Sequence, residues 1–195
     1  PERLYENGLQ RHRFIPCIDA LLKHTQVLHL DSETDYRLRV LEQADLYFEH
    51  DTQGFIDCFE ELTSGEKLQT ESKRIAINGR GLLMQKRAGD VIWFDFRELC
   101  HTPRSVADYI ELARLYTTIF ISDVTPMGEQ SDEAARRFIN MIDEFYDRQV
   151  KVILSAEVPM EELYGKGRLS FEFKRTLSRL TEMQSTEYLA LPHLP

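Results

Sequence analysis

The sequence has 195 residues, of which 42% are hydrophobic and 29% are charged. This length fits one domain or two small ones, and the composition is that of a folded globular protein rather than a disordered or collagen-like chain. The 33 Asp and Glu residues outnumber the 24 Lys and Arg residues, which gives a net charge of −9. An acidic surface repels phosphate backbones, so we expect no nucleic-acid partner. No apolar run reaches the roughly 18 residues that a membrane-spanning helix needs.

The cysteines and histidines give no sign of a disulfide framework or a metal site. Cys17, Cys58 and Cys100 are an odd number and form no C-x-x-C pair, which argues against zinc and indicates a reducing, cytoplasmic location. The six histidines lack the spacing of metal ligands, so we predict no metal ligand in this chain. The chain begins with Pro1 and carries no signal or transit peptide, from which we expect that its natural start lies further upstream.

The first third of the chain mixes helical and strand patterns. Apolar residues spaced three and four apart predict a helix over 11–24. Apolar residues at every second position predict strands at 27–30 and 36–41, and a further strand is predicted at 46–48. A short amphipathic helix is predicted over 55–62, ending at Gly65.

The middle of the chain has the pattern of antiparallel strands. Polar residues at 66–73 predict a loop or linker. Alternating segments at 74–77, 82–85 and 91–94 follow, separated by Asn78-Gly79 and Gly89-Asp90, which are typical of hairpin turns. We therefore predict a small antiparallel β-meander at 72–96. Trp93 and Phe94 lie either in its core or on its face, and their size and apolar character favour the core.

Helical and strand patterns alternate from Pro103 onward. Helices are predicted at 106–116, at 131–147 and from about Phe171, with apolar strands at 118–123 and 150–154 between them. Such alternation is typical of parallel strands joined by crossover helices. The predicted fold class is therefore α/β, with a partly parallel sheet flanked by helices, a small antiparallel β-meander insertion and a C-terminal helix.

Two acidic residues follow the predicted parallel strands. Asp123 ends one strand and Glu157 follows the next, so both carboxylates are expected at the edge of the sheet where ligands and Mg²⁺ usually bind. The alternative is that each carboxylate caps a loop or a helix. The sequence favours that alternative, because it contains no GxxxxGK(S/T) string or other phosphate-cradling loop.

Two pairs of arginines are candidates for contact with phosphate. Arg11 and Arg13 stand near the start of the first predicted helix, and Arg175 and Arg179 lie four residues apart on the last one. A guanidinium group can stabilise the charge on a transferring phosphoryl group through its planar set of donors. The alternative, surface ion pairs in an acidic protein, is favoured by spacing alone.

Longer strings resemble the C-terminal half of the AFG1-like ATPase family, in colinear order over essentially the whole chain. They are Leu4-Tyr5-x-x-Gly8-Leu9-Gln10-Arg11-x-x-Phe14-Ile15-Pro16, Asp35-Tyr36-Arg37-Leu38-Arg39, Trp93-Phe94-x-Phe96-x-x-Leu99-Cys100, Asp108-Tyr109-Ile110, Glu133-Ala134-x-Arg136-Arg137-Phe138-Ile139, Asp143-Glu144-x-Tyr146-Asp147, Ser155-Ala156-Glu157-Val158-Pro159 and Phe171-x-Phe173-x-Arg175-Thr176-x-Ser178-Arg179-Leu180-x-Glu182-Met183-Gln184-Ser185.

The resemblance implies a P-loop ATPase of the AAA+ type that couples ATP hydrolysis to remodelling of a partner protein. It implies three segments: residues 1–65 as the C-terminal part of the ATPase core, 66–100 as the β-meander insertion, and 101–195 as an α/β segment with a lid-like C-terminal helix. ATP and Mg²⁺ are the implied cofactors, and their main binding residues would precede Pro1. Val124 stands where a catalytic Glu would be, so Asp123 is expected to be structural or to act behind the metal ligands.

The resemblance also implies roles for the arginines. Arg11, with Arg13 as second choice, matches the arginine that reaches into the neighbouring subunit's site. Either Arg175 or Arg179 matches the lid arginine that contacts the nucleotide within its own subunit. Hydrolysis would then require a homo-oligomeric ring.

The resemblance implies two settings for this activity. The bacterial branch of the family implies cell division, with the tubulin-like division ring as a partner near the inner face of the membrane, where peripheral association is compatible with the sequence. The mitochondrial branch implies protein quality control. A competing hypothesis is a non-catalytic α/β module that binds a protein through the meander.

Overall fold

The chain divides into two compact units, Pro1–Asp35 and Tyr36–Pro195. The computed structural model describes residues 11–13 and 15–25 of the first unit and residues 36–69 and 73–195 of the second. In the first unit a 3-10 turn spans Arg11–Arg13 and helix α1 spans Ile15–His24, in agreement with the predicted helix. The strand predicted at 27–30 lies outside the described residues.

The second unit alternates helices and strands. Its helices are α2 (Tyr36–Gln43), α3 (Thr52–Leu62), α4 (Val106–Leu115), α5 (Asp132–Asp147), α6 (Ser170–Met183) and α7 (Thr186–Leu189). Its strands are β1 (Tyr47–Glu49), β2 (Lys73–Ile77), β3 (Arg80–Met84), β4 (Lys86–Ala88), β5 (Val91–Asp95), β6 (Thr118–Val124) and β7 (Lys151–Ala156). Short turns are 3-10 at Glu129–Ser131 and Met160–Glu162 and π-helical at Arg97–His101. None of the helices within the described ranges is long and apolar enough to cross a membrane.

A five-stranded sheet organises the second unit, with strand order β1-β7-β6-β5-β4. Strands β1, β7, β6 and β5 run parallel, and β4 pairs antiparallel with β5 at the edge. Strands β2 and β3 form a separate antiparallel pair. The structure confirms the predicted α/β class, with its partly parallel sheet, flanking helices and C-terminal helix.

The alternation of side chains along the central strands separates two cores. Trp93, Phe120 and Ile153 are aligned in register and pack on the face covered by α3. Phe55 of α3 lies 4.9 Å from the Trp93 ring and 5.2 Å from the Phe120 ring, measured between centroids. Neighbouring residues such as Ile121 face the opposite core under α4, α5 and α6. Because both faces are covered, nearly every residue of β5, β6 and β7 is buried, as interior parallel strands require.

The prediction of a strand at 36–41 is wrong, because this segment belongs to helix α2. Its alternating apolar residues also fit a helix, in which Leu38 and Leu41 lie three apart on one face. Val40 and Leu41 are buried in the core beneath α3. A run this short fits both periods, and packing selects the helix.

The single meander predicted at 72–96 is divided between two sheets. Its first hairpin is confirmed, because β2 and β3 pair across Asn78 and Gly79, whose φ angles are 46° and 76°. Strand β5 instead joins the main sheet beside β6. Trp93 and Phe94 are buried as predicted, but the cores that they enter belong to the main sheet.

Candidate functional site: arginines beside helices α5 and α6

Arg175 and Arg179 lie one turn apart on α6, as their spacing predicts. The buried face of α6 carries Phe173, Thr176 and Leu180, and it packs against α5 in the larger core. The two arginines flank this buried face, so their guanidinium groups lie along the seam between the two helices. Phe138 of α5 stacks on Phe173 with ring centroids 5.9 Å apart, which fixes the helices relative to each other.

Both arginines pair with one carboxylate of α5. Arg175 Nη2 donates to Asp143 Oδ2 at 2.5 Å, and Arg179 Nη1 donates to Asp143 Oδ1. Arg179 also lies 3.8 Å from Asp147 Oδ1 and stacks over the Tyr146 ring at 4.8 Å. The side chain of Arg179 is 21% exposed and that of Arg175 is 60% exposed. Arg175 is therefore the more exposed of the two, whereas Arg179 is held by more neighbours.

Arg11 and Arg13 lie in the first unit. Both belong to the 3-10 turn that precedes α1. Arg13 is exposed and Arg11 is half-buried. Pro16 follows in the first turn of α1, where its missing N–H costs no helical hydrogen bond.

Asp123 lies near the end of β6, and Glu157 directly follows β7. Asp123 has a φ of 57° at a point where the register between the two strands shifts, and its backbone N–H donates to Ser155 Oγ at 3.3 Å. The side chains of Asp123 and Glu157 are exposed. Within the described ranges no group of three or more His, Cys, Asp and Glu residues is arranged to hold a metal ion.

Cys100 is enclosed in the larger core and is set up as a packing residue. It has no exposed surface, and burial raises the pKa of its thiol above the ordinary range. Its carbonyl accepts a hydrogen bond from Arg137 Nη1 at 3.0 Å. A buried neutral thiol is a poor nucleophile.

The local patterns in the sequence did not reveal which carboxylates pair with the arginines. Asp143 is one such partner, and Asp90 is another. Arg37 donates to Asp90 Oδ1 at 2.5 Å, and the Thr117 hydroxyl donates to Asp90 Oδ2 at 2.6 Å. Burial acts to raise the pKa of Asp90, but the hydrogen bonds from Thr117 and Arg37 hold it below its usual value. Arg37 and Asp90 lie 53 positions apart, so no local pattern predicts their pairing. The sequence marks each of them only separately, Asp90 as a turn residue and Arg37 as part of the string at 35–39.

A family model and several known proteins match this chain over nearly its whole length. The sequence model described as AFG1-like ATPase matches residues 1–192. The chain is 46% identical over 197 residues to the cell division protein ZapE of Escherichia coli strain K12, covering 100% of this chain and 52% of that protein. It is 33% identical over 228 residues to the uncharacterized protein C115.02c of Schizosaccharomyces pombe, covering 98% and 49% of the two chains.

A vertebrate relative is similar over the same part. Lactation elevated protein 1 homolog B of Danio rerio is 31% identical over 225 residues, covering 96% of this chain and 45% of its own length. No solved structure matches significantly. The chain spans about half the length of the curated relatives it matches. With nearly every residue covered by the family model, the chain belongs to the AFG1-like ATPase family.

Proposed function

We propose that the chain is the C-terminal part of an AAA+ ATPase that couples ATP hydrolysis to remodelling of a partner protein in bacterial cell division. The observation that carries this proposal is the colinear family match over residues 1–192. The 46% identity with a bacterial protein named for cell division supports the division role. A cytoplasmic location accords with this role.

ATP and Mg²⁺ are the proposed substrate and cofactor, and their main ligands are assigned to the part of the protein that precedes Pro1. The arginine side chains of this chain are suited to bind an anionic phosphate group. Arg175 uses only Nη2 in its bond to Asp143 and is 60% exposed, so it has donors left for a second anion. We assign the lid contact to Arg175, and we assign to Arg179 the role of holding the α5–α6 seam.

The proposed arginine finger is Arg11, with Arg13 as the second choice. The finger supplies positive charge where negative charge spreads over the leaving phosphoryl group. Because it would act on the site of a neighbouring subunit, the proposal includes a homo-oligomeric ring. The proposed partner is a protein of the division machinery, with the tubulin-like division ring as the first choice, and peripheral membrane association is compatible with that site.

The test is Arg11→Ala in the full-length protein. We expect phosphate release to fall by about a thousandfold or more, while titration with a fluorescent nucleotide gives an unchanged affinity. Mixing Arg11→Ala subunits with subunits inactivated in the phosphate loop should restore part of the activity. A site at the boundary between the two kinds of subunit can combine the intact phosphate loop of the first with the intact Arg11 of the second. In the same assays Arg175→Ala should weaken nucleotide binding.

The matched control is Arg114→Ala, which removes an arginine that is 60% exposed and whose one ion pair among the described residues is with Glu111, one turn away on α4. It should leave turnover unchanged. Unchanged turnover in Arg11→Ala would remove Arg11 from the site, and a loss confined to Arg13→Ala would move the finger to Arg13.

A further inference from the structure

Phe171 is an aromatic residue that the fold of the second unit leaves almost entirely in solvent. It stands in the first turn of α6 and is 85% exposed, against 50% or less for the other exposed large hydrophobic residues in the described ranges. Phe173, two residues further along, is buried and stacks on Phe138 of α5. The core therefore uses one of these two rings of α6, and its packing gives no reason for a phenyl ring at 171.

The ring of Phe171 borders a cleft on the exposed side of α6. The cleft has a volume of about 260 Å³ and is lined by Phe171, Glu172, Lys174, Arg175 and Ser178. This volume is below the about 300–1,000 Å³ of complete ligand sites, so the cleft is suited to one part of a ligand that has further contacts elsewhere. The same cleft joins the exposed ring to Arg175, the arginine that we assign to the phosphate contact.

Lys174 gives this cleft a positive charge that is free to meet a ligand. It is exposed, and its ammonium group makes no ion pair or hydrogen bond with the residues that the structure describes. Glu172, the carboxylate of the lining, lies 3.4 Å from Arg136 of α5, which offsets its charge. An ammonium group on a flexible stem is a suitable donor to phosphate oxygens.

The composition of the lining favours a nucleobase over a protein or membrane surface as the occupant. Of the described residues that line the cleft, only Phe171 is apolar. A protein interface buries a core of several apolar side chains, and a helix that lies on a membrane buries a whole apolar face. A nucleobase needs only one flat ring, because base and ring stack face to face while the sugar and phosphates stay among polar groups.

We propose that Phe171 stacks on the base of the bound nucleotide, while Lys174 and Arg175 approach its phosphates. Phe171 and Arg175 are four residues apart, which corresponds to a rise of about 6 Å along the helix. This separation leaves room for the ribose, which lies between the base and the phosphates of a nucleotide. The inference rests on the proposed function, because it adds a base-binding residue to the nucleotide site proposed there.

The test compares a nucleotide with its phosphate chain alone, each bound to the full-length protein with Mg²⁺ and measured by calorimetry. The nucleotide is ATP with an imido group in place of the β,γ-bridging oxygen, which prevents hydrolysis, and the other ligand is inorganic triphosphate. Phe171→Ala should raise the Kd of the nucleotide about tenfold, the loss expected for one stacked base, and leave the Kd of triphosphate unchanged. Arg175→Ala should weaken both ligands, since it removes a phosphate contact.

Three further variants separate stacking from a general apolar contact. Phe171→Trp should keep the affinity for the nucleotide, whereas Phe171→Leu should lose it, because leucine is apolar but has no flat face. Leu115→Ala removes another exposed apolar side chain at the end of α4, outside the cleft, and should leave both Kd values unchanged. The side chain at 171 is so exposed that its replacement should not disturb the fold, as circular dichroism would verify.

The inference is overturned if Phe171→Ala binds the nucleotide as tightly as wild type, if it loses affinity for both ligands equally, or if Phe171→Leu binds as tightly as Phe171→Trp. Any of these results with a wild-type protein that binds and hydrolyses ATP contradicts the stacking contact alone and leaves the proposed function standing. A wild-type protein that binds no nucleotide contradicts both.

Discussion

Lys151 places an ammonium group inside the second unit, where backbone carbonyls accept its hydrogen bonds. Its Nζ donates to the carbonyls of Gln149, Tyr188 and Leu191 at distances of 2.9–3.1 Å, and it lies 5.0 Å from the centre of the Tyr188 ring. Only 8% of the residue is exposed. No carboxylate pairs with it among the described residues, and burial lowers its pKa from 10.5 to about 8. The residue joins the start of β7 to the C-terminal segment.

The lowered pKa of Lys151 predicts a pH dependence of stability. Below pH 8 the folded and unfolded chains both hold the proton, and between pH 8 and 10.5 the unfolded chain alone holds it. The contribution of this group to the free energy of unfolding therefore rises with pH across that window. Lys151→Met should be less stable than wild type by about 1–3 kcal/mol at neutral pH, because buried carbonyls lose their donor, and the gap should widen toward pH 10.5. Urea denaturation at a series of pH values measures both effects.

A suitable control is Lys174→Met, which removes an exposed ammonium group. Its free energy of unfolding should follow the wild-type pH profile. Parallel profiles for wild type and Lys151→Met would contradict the assignment of the pH dependence to Lys151.

The hairpin of β2 and β3 shows how an element follows from its turn. Asn78 and Gly79 both have positive φ angles, which gives a tight turn the twist that matches the strands on either side. The Asn78 side chain also donates to the Ala107 carbonyl at 2.8 Å, so the turn is tied to the first turn of α4. The turn sequence and its tertiary contact favour the same conformation.

Gly79→Ala tests the turn without altering its packing. A Cβ atom at this position meets nothing within 4 Å, so the cost comes from the left-handed backbone alone, with φ of 76°. We expect a loss of about 1–2 kcal/mol in the free energy of unfolding, measured by urea denaturation. Gly165→Ala is the control, because its Cβ would meet only ordinary contact at 3.7 Å from the Met127 carbonyl oxygen, and we expect a change within about 0.5 kcal/mol. Equal losses at both positions would rule out backbone strain as the cause.

At the scale of the molecule, the second unit is a sheet with a core on each face. The apolar strands β5, β6 and β7 fill both cores, and Arg175 and Arg179 of α6 lie outside these cores. A scaffold of this kind positions charged groups at its surface without supplying a phosphate-cradling loop of its own. The complete nucleotide site would then need the part of the relatives that this chain does not cover.

The 195-residue chain by itself is therefore expected to hydrolyse no measurable ATP. Its sequence contains no GxxxxGK(S/T) string, and a backbone cradle for the phosphates is required for this chemistry in P-loop enzymes. The measurement is phosphate release from ATP with Mg²⁺, with the full-length protein as the positive control. A robust rate from the 195-residue chain would contradict the assignment of the nucleotide site to the upstream part.

The sequence by itself determined the fold class and the family. The alternation of apolar strands with amphipathic helices after Pro103 predicts parallel strands. Parallel strands are covered by helices on both faces, so they appear in a sequence as nearly continuous apolar runs. The Asn78-Gly79 turn and the arginine spacing at 175 and 179 are also local, and the structure agrees with each of them. The colinear strings were sufficient to indicate the family, since they depend on order along the chain and not on packing.

Only the tertiary structure decided the segments whose patterns fit two structures and the partners that lie far apart. Residues 36–41 satisfy the periods of a strand and of a helix, and burial of Val40 and Leu41 against the α3 side of the sheet selects the helix. Strand β5 leaves the predicted meander because its apolar residues need cover on both faces, which only the main sheet provides. The pairing of Arg175 and Arg179 with Asp143 joins residues more than thirty positions apart. Contacts of that range leave no periodic signal in a sequence, so they are set by how the helices pack.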